Sequence, residues 1–406
     1  MKKNSSSKII SSAGRNGELI KSDCYVEIEL KNSGGIKIKL QSKVESMYGE
    51  TIKNQIREMC SFFNIKNAKI LFEDSGALPF VIAARFELAV KKLFPKSERE
   101  FLLPFNKKNN YKTAKDKLRR SRLYFPGNEP KFFINAGLYG SDAVILDLED
   151  SVAPSEKEAA QLVVRNALRS VNFYGAERMV RINQLPRGLE DLKFVVPHNV
   201  HVVLIPKCES AKQIIQVEQK IDEIKKQYEI KNEIYFIPII ESALGIIKSY
   251  EIASASKQNC ALAIGLEDYT SDLGIQRTNE DKESLFAKSM VVNAAKAAGI
   301  QAMDSIFSDV TDMDGLKASV LEAKSLGFDG KGCIHPRQVK VVHQVFAPTE
   351  KEIENAHKII KAFEEAEKKG LGVIALGSKM IDLPVVKNAR RVIHLAKLSG
   401  HVEFSI

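Results

Sequence analysis

Hydrophobic and polar positions divide the chain into two regimes. In the first, Tyr25 to Leu30 and Ile36 to Leu40 alternate as half-buried strands do, and the Asn32-Ser33-Gly34-Gly35 stretch between them predicts a hairpin. Apolar residues at Val44, Met47, Tyr48, Ile52 and Ile56 then follow helical spacing as far as Phe62; a strand from Ala68 to Glu73 and a helix from Leu78 to Phe94 come next. Residues 1–23 are rich in Ser, Asn, Gly and Lys and show neither period, which predicts a flexible N-terminal segment. The pattern thus predicts a small α+β domain over residues 1–96.

The second regime begins near residue 120. Runs that are apolar at nearly every position, as in parallel strands covered on both faces, are Arg122 to Phe125, Ala143 to Leu148, Arg178 to Ile182, Val202 to Ile205, Ile234 to Ile240, Ala261 to Leu266 and Ile300 to Met303; Gly330 to Ile334 is the weakest. Most precede an amphipathic helical stretch, such as Ser155 to Ser170 or Ser210 to Gln227. Eight βα units in about 220 residues predict a TIM (β/α)8 barrel over 120–345 rather than a doubly wound sheet. Helical stretches Pro348 to Lys369 and Pro384 to Ser399, around Val373 to Asp382, form a C-terminal helical extension (346–406), read as a cap or as an arm to a neighbouring subunit.

Composition narrows the function classes. With 44% hydrophobic residues among 406, wholesale disorder is excluded. The longest apolar runs are too short to span a bilayer and the first residues lack an apolar signal core, so a cytoplasmic protein without a membrane partner is expected. Cys24, Cys60, Cys208, Cys260 and Cys333 are scattered, which favours reduced thiols over disulfides or a zinc knuckle. The net charge of +10 is mostly local: Lys107 to Arg122 holds eight basic residues against the single acid Asp116. No helix-turn-helix, zinc finger or base-stacking aromatic pair accompanies it, so nucleic acid is not an expected partner. The run, largely inside a basic linker at 97–119, is either solvated or a cradle for the phosphates of a small anionic ligand. In the latter case Arg120 and Arg122, at the lip of the first barrel strand beside Pro126 and Gly127, would hold a nucleotide.

In a barrel of this kind, chemistry gathers at the carboxyl ends of the strands. Those ends carry Asp147, Glu149 and Asp150, then Arg181 and Asn183, Lys207 and Glu209, Glu241, Glu267 and Asp268, Asp304 and Asp309, and finally His335 and Arg337. Each taken singly is more often a helix cap or ion-pair partner than a catalyst. Glu241 and Asp268 leave neighbouring strands; two carboxylates with room for water suit Mg2+ and, lacking His or Cys, not zinc, although a hydrogen-bonding role is equally open. Arg181 offers a planar fork for a carboxylate or oxyanion, or a structural ion pair with Glu149.

The motifs Arg120-Ser121-Arg122-Leu123-Tyr124-Phe125-Pro126-Gly127-Asn128, Leu146-Asp147-Leu148-Glu149-Asp150-Ser151-Val152, Val180-Arg181-Ile182-Asn183, Ile240-Glu241-Ser242-Ala243-Leu244-Gly245, Gly265-Leu266-Glu267-Asp268-Tyr269 and Lys379-Met380-Ile381-Asp382-Leu383-Pro384 resemble, in order, those of the citrate lyase β-subunit family, among the HpcH/HpaI aldolase-like acyl-thioester lyases. Over residues 118 to 400 the resemblance implies a TIM barrel, Mg2+ on Glu241 and Asp268, Arg181 on the substrate, and Asp382 as an acid/base reaching a neighbouring subunit's site in a homotrimer or hexamer. Glu149 belongs to the same catalytic set. The implied reaction is cleavage of a 3-hydroxyacyl thioester, citryl thioester to oxaloacetate and an acetyl thioester, with citramalyl-CoA or malyl-CoA cleavage and a non-catalytic binding paralogue as alternatives.

The first domain resembles the citrate lyase acyl carrier protein, the γ subunit, through Ala13-Gly14, Ser22-Asp23, Gly35 to Leu40, Ser42-Lys43-Val44-Glu45, Tyr48-Gly49-Glu50 and Glu73-Asp74-Ser75-Gly76-Ala77-Leu78. That carrier bears a phosphoribosyl-dephospho-CoA arm on a serine. Alignment on Asp23 puts Lys21 at the serine's position and Ser22 one residue late, so the thiol is either a covalent arm on Ser22 or a diffusible CoA thioester. A separate acyltransferase, similar to the citrate lyase α subunit, is the implied protein partner.

Overall fold

The computed structural model describes residues 9–278, 281–368, 373–376 and 379–398. Residues 1–8 of the expected flexible segment, and the predicted helix ends Lys369 and Ser399, lie outside these.

Strands β1 (Ile10–Gly14), β2 (Cys24–Leu30) and β3 (Ile36–Ser42) precede α1 (Glu45–Phe62), β4 (Ala68–Asp74) and α2 (Pro79–Leu93), and the sheet order is β1-β2-β4-β3. Two expectations need correction. Residues 10–14, placed in the flexible segment, pair with β2 and bury Ala13. The hairpin between β2 and β3 does not form, because β4 inserts between them, antiparallel to β2 and parallel to β3. Helix α1 is the crossover that a parallel β3–β4 pair demands. It leaves β3 at the edge, where its exposed Lys37 and Lys39 deter further pairing.

The second unit is a closed, all-parallel barrel of β5 (Ser121–Pro126), β6 (Ala143–Asp147), β7 (Glu177–Arg181), β8 (Val202–Ile205), β9 (Tyr235–Ile240), β10 (Ala261–Ile264), β11 (Gln301–Ile306) and β12 (Gly330–Cys333). The weakly patterned β12 closes it, with Gly332 opposite Arg122 of β5. Around it run α3 (Lys157–Ser170), α4 (Gly188–Val195), α5 (Ala211–Gln227), the short α6 (Ala243–Ile247), α7 (Ser249–Ala253) and α8 (Leu266–Asp272), then α9 (Leu285–Ala297), α10 (Met313–Leu326) and α11 (Pro336–Phe346). Beyond the barrel follow α12 (Glu350–Glu367), β13 (Ile374–Leu376), β14 (Lys379–Ile381) and α13 (Leu383–Leu398), and α12, β14 and α13 share a core of Ile359, Phe363, Ile381 and Val386.

The two units are fastened together. Every residue of α2 from Phe80 to Val90 is buried, because one face lies on the small sheet and the other on α3. Within that contact Glu87 receives two hydrogen bonds from Arg165, at 2.7 and 2.9 Å, both side chains being wholly buried. Asn166 donates to the Phe80 carbonyl, and Arg15 bridges to Glu129 and Glu156 of the barrel loops. The basic run is anchored at some points, while Lys107, Lys108, Lys112 and Lys115 stay exposed to solvent. Arg119 forms a fully buried bidentate pair with Glu177 at 2.7 and 2.8 Å, and Asn109 and Tyr111 donate to the carbonyls of Val171 and Ala176. No described helix is long and apolar enough to cross a membrane.

Candidate active site

A cavity of about 280 Å³ opens at the carboxyl ends of the barrel strands, lined among others by Arg122, Tyr124, Asp147, Arg181, Glu241 and Asp268. Glu241 is the first residue after β9, a strand buried along nearly its whole length, so the carboxylate is delivered at the strand mouth. It is 5% exposed, and its Oε1 accepts from the Lys207 backbone N–H at 3.1 Å. Burial, reinforced by the negative charges of Asp268 and Glu149, pushes its carboxyl up to about 8. Gly265, just after β10, faces it: a Cβ there would stand 2.7 Å from Glu241 Oε2. Only glycine leaves that carboxylate its position.

Asp268, in the first turn of α8, completes the pair on the more exposed side of the cavity. The Lys207 ammonium lies 3.1 Å from Asp268, 3.5 Å from Asp150 and 3.6 Å from Glu149, and these charges raise its pKa despite the opposing cost of burial. A cation among these acids is what their mutual repulsion requires, and an all-oxygen set suits a hard divalent ion such as Mg2+. Among the described residues no group of three or more His, Cys, Asp or Glu side chains is placed to hold a metal. Glu241 and Asp268 would therefore leave most of an octahedral shell to water and substrate oxygens.

Arg181 ends β7 with its guanidinium fully engaged. Nε and Nη2 each donate to Asp147 at 2.7 Å, and Nη1 lies 3.0 Å from Glu149. Burial works against the charge of Asp147, yet Arg181 and a short hydrogen bond from Ser151 hold that carboxyl below the usual range. Glu149 sits behind Arg181, where it also accepts from Gln184 at 3.2 Å. The ion-pair alternative for Arg181 and Glu149 is thus realised at the cavity wall.

Arg120 and Arg122 are corrected in placement. Arg120 precedes β5 and pairs with Asp142 at 2.9 Å, which puts it at the amino mouth of the barrel, away from Glu241. Arg122 points inward and is 2% exposed, so neither guanidinium stands on the lip. Pro126 lines the cavity, whereas Gly127 donates its N–H to the Asp147 carbonyl at 2.7 Å. Asp382 caps α13, its Oδ1 accepting from the Val385 N–H at 3.2 Å, and is not among the cavity residues of its own chain. Ser22 has a left-handed φ of 56°; its N–H bonds Ser75, and the neighbouring Asp23 is buried in a bidentate pair with Arg85.

Several other strand-end groups are structural. Asn183 donates to Asp191, Asp304 pairs with Lys331 inside the barrel, Asp309 accepts from Thr311, and His335 caps α11 by accepting from the Arg337 N–H. What sequence reasoning missed is the inward aim of Arg122 and the central place of Lys207. The first had a signal: Arg122, Tyr124 and Pro126 share one face of β5 by period two.

The family model described as HpcH/HpaI aldolase/citrate lyase matches residues 120–336, and the acyl carrier model described as malonate decarboxylase delta subunit (MdcD) matches residues 13–93. The chain is 40% identical over 291 residues to the citrate lyase subunit beta of Leuconostoc mesenteroides subsp. cremoris, covering 71% of this chain and 96% of that protein. Among solved structures, Mycobacterium tuberculosis CitE in complex with magnesium, acetoacetate and coenzyme A superposes with a TM-score of 0.59 at 27% identity, over 70% of this chain and 100% of the other. The M. tuberculosis citrate lyase beta subunit complexed with oxaloacetate and magnesium gives 0.50 at 29%, over 58% and 100%.

Proposed function

The chain belongs to the HpcH/HpaI aldolase/citrate lyase family, and we propose that it is a Mg2+-dependent carbon–carbon lyase that cleaves a citryl thioester to oxaloacetate and an acetyl thioester. The observation that carries this reading is the pair Glu241 and Asp268 at the mouth of the barrel cavity, one carboxylate held in place by Gly265. In the reaction the substrate hydroxyl loses its proton, its oxygen becomes the keto oxygen of oxaloacetate, and the adjacent carbon–carbon bond breaks toward the thioester. The resulting enolate takes a proton at carbon. Magnesium on Glu241 and Asp268, when bound, would supply Lewis-acid stabilisation at the substrate's hydroxyl and carboxylate oxygens. Arg181, held by Asp147 and Glu149, fixes the cavity wall beside the metal pair and balances part of the charge of those carboxylates. Asp382 from a neighbouring copy in a trimer or hexamer moves the proton.

The CoA portion is too large for a cavity of about 280 Å³ and lies outside it. Because the carrier-like domain is clamped by α2 and Arg15 and has Lys21 where the carrier has its serine, Ser22 bears no arm in this reading. The thioester arrives as diffusible CoA or on a separate carrier, with an acyltransferase as partner. Five free, buried cysteines favour a cytoplasmic enzyme.

The test has two arms. Cleavage should cease in EDTA and in Asp268→Asn, with circular dichroism unchanged, and the intact mass of natively expressed protein should equal the sequence mass. Full activity in EDTA would overturn the metal pair; a prosthetic-group mass mapped to Ser22 would restore the covalent carrier.

A further inference from the structure

Two guanidinium groups line the cavity, and their states differ. Arg181 has all three nitrogens occupied by Asp147 and Glu149. Arg122 is wholly enclosed, and only its Nη2 is used, donating to the Asp304 backbone carbonyl at 2.8 Å. Nε and Nη1 have no partner, and among the described residues no carboxylate forms an ion pair with Arg122. The nearest acid, Asp304, has its charge taken up by Lys331. An enclosed guanidinium with an unpartnered Nη1 beside a cavity is a receptor for an anion. Ala263 and Gly332 line the same cavity and leave room beside it. Burial lowers the pKa of Arg122, outweighing the nearby charge of Asp304.

We propose that Arg122 is a specificity-determining residue that receives, through Nη1, the carboxylate of the substrate's carboxymethyl branch. This rests on the lyase reading of the same cavity and sharpens it. A citryl thioester carries two free carboxylates. One accompanies the hydroxyl at Glu241 and Asp268; the other, absent from citramalyl and malyl thioesters, goes to Arg122. A site built to pair a buried charge discriminates far more strongly than an apolar pocket does, since the unfilled site leaves that charge alone.

The experiment compares wild type, Arg122→Met and Arg122→Lys with magnesium present, by calorimetry with oxaloacetate and with pyruvate, and by cleavage of citryl-CoA and citramalyl-CoA. Wild type should bind oxaloacetate at least about tenfold more tightly than pyruvate, and Arg122→Met should lose about 100-fold in kcat/KM on citryl-CoA but under about threefold on citramalyl-CoA. Equal losses on both substrates, or an unchanged oxaloacetate preference, would overturn the proposal. Should Arg122→Met not fold, Arg122→Lys decides: a reduced preference supports recognition by the guanidinium and an unaltered one refutes it. If wild type prefers oxaloacetate through Arg122 yet cleaves neither thioester, the lyase reading fails and the carboxylate subsite stands.

Discussion

A Cβ on Gly265 would meet Glu241 Oε2 at 2.7 Å and its Cδ at 3.0 Å, so alanine there must displace a carboxylate of the proposed metal pair. Gly265→Ala should weaken apparent Mg2+ affinity by about 10- to 100-fold, the range for changes in groups that orient ligands, with little change in Tm. Metal titration of activity and of intrinsic stability checks this, and an unaltered titration would show that Glu241 is not a ligand. At this scale Glu241, Asp268 and Arg181 were legible because each lies at a strand end, where position fixes direction. Arg120 and Arg122 were not: a count of basic residues carries no direction, and Arg120, just before β5, stands at the amino mouth while Arg122, within β5, points inside the barrel.

Among the elements, α2 shows how an interface is written into composition without announcing itself. Its buried Arg85 and Glu87 are unusual in a helix with two apolar faces, and each has its own partner, Asp23 within the small domain and Arg165 on the barrel. Removing Arg165 leaves the buried Glu87 with only the Phe101 N–H at 2.9 Å and the Lys91 ammonium at 3.6 Å, so Arg165→Ala should cost about 3 kcal/mol. Urea unfolding should then split, with the α+β domain melting ahead of the barrel, while Lys193→Ala, at an exposed pair, stays near wild type. A single transition at the wild-type midpoint would mean that the clamp is not fastened here. The β2–β3 error belongs to the same scale. Alternation reveals that a strand is half-buried but not which strand lies beside it, and the α1 crossover brought β4 between the two.

For the whole molecule, the extension carrying Asp382 turns back against the barrel, with Arg391 of α13 2.7 Å from Asp329 beside the amino end of β12. Its own chain's cavity opens at the opposite mouth, so Asp382 is proposed to serve a neighbour. Mixing Asp382→Asn with Asp268→Asn protomers, each inactive alone, should restore activity up to about a quarter of wild type if hybrid trimers assemble at random and each site draws one residue from each of two copies. Hybrids that form, as seen by native mass spectrometry, and remain inactive would return Asp382 to its own chain. The sequence by itself determined the eight-stranded barrel, the strand-end acids, the α+β character of the first domain and the family, because these follow from local periodicity and ordered motifs. Tertiary structure alone decided that β4 separates β2 from β3, that the arginines of the basic run are pinned while Lys107, Lys108, Lys112 and Lys115 stay exposed, that the two domains are clamped, and that Arg181 is saturated while Arg122 is not. Those outcomes depend on which distant groups meet: pairing, burial and charge neutralisation are properties of contacts made across the chain, and local spacing does not encode them.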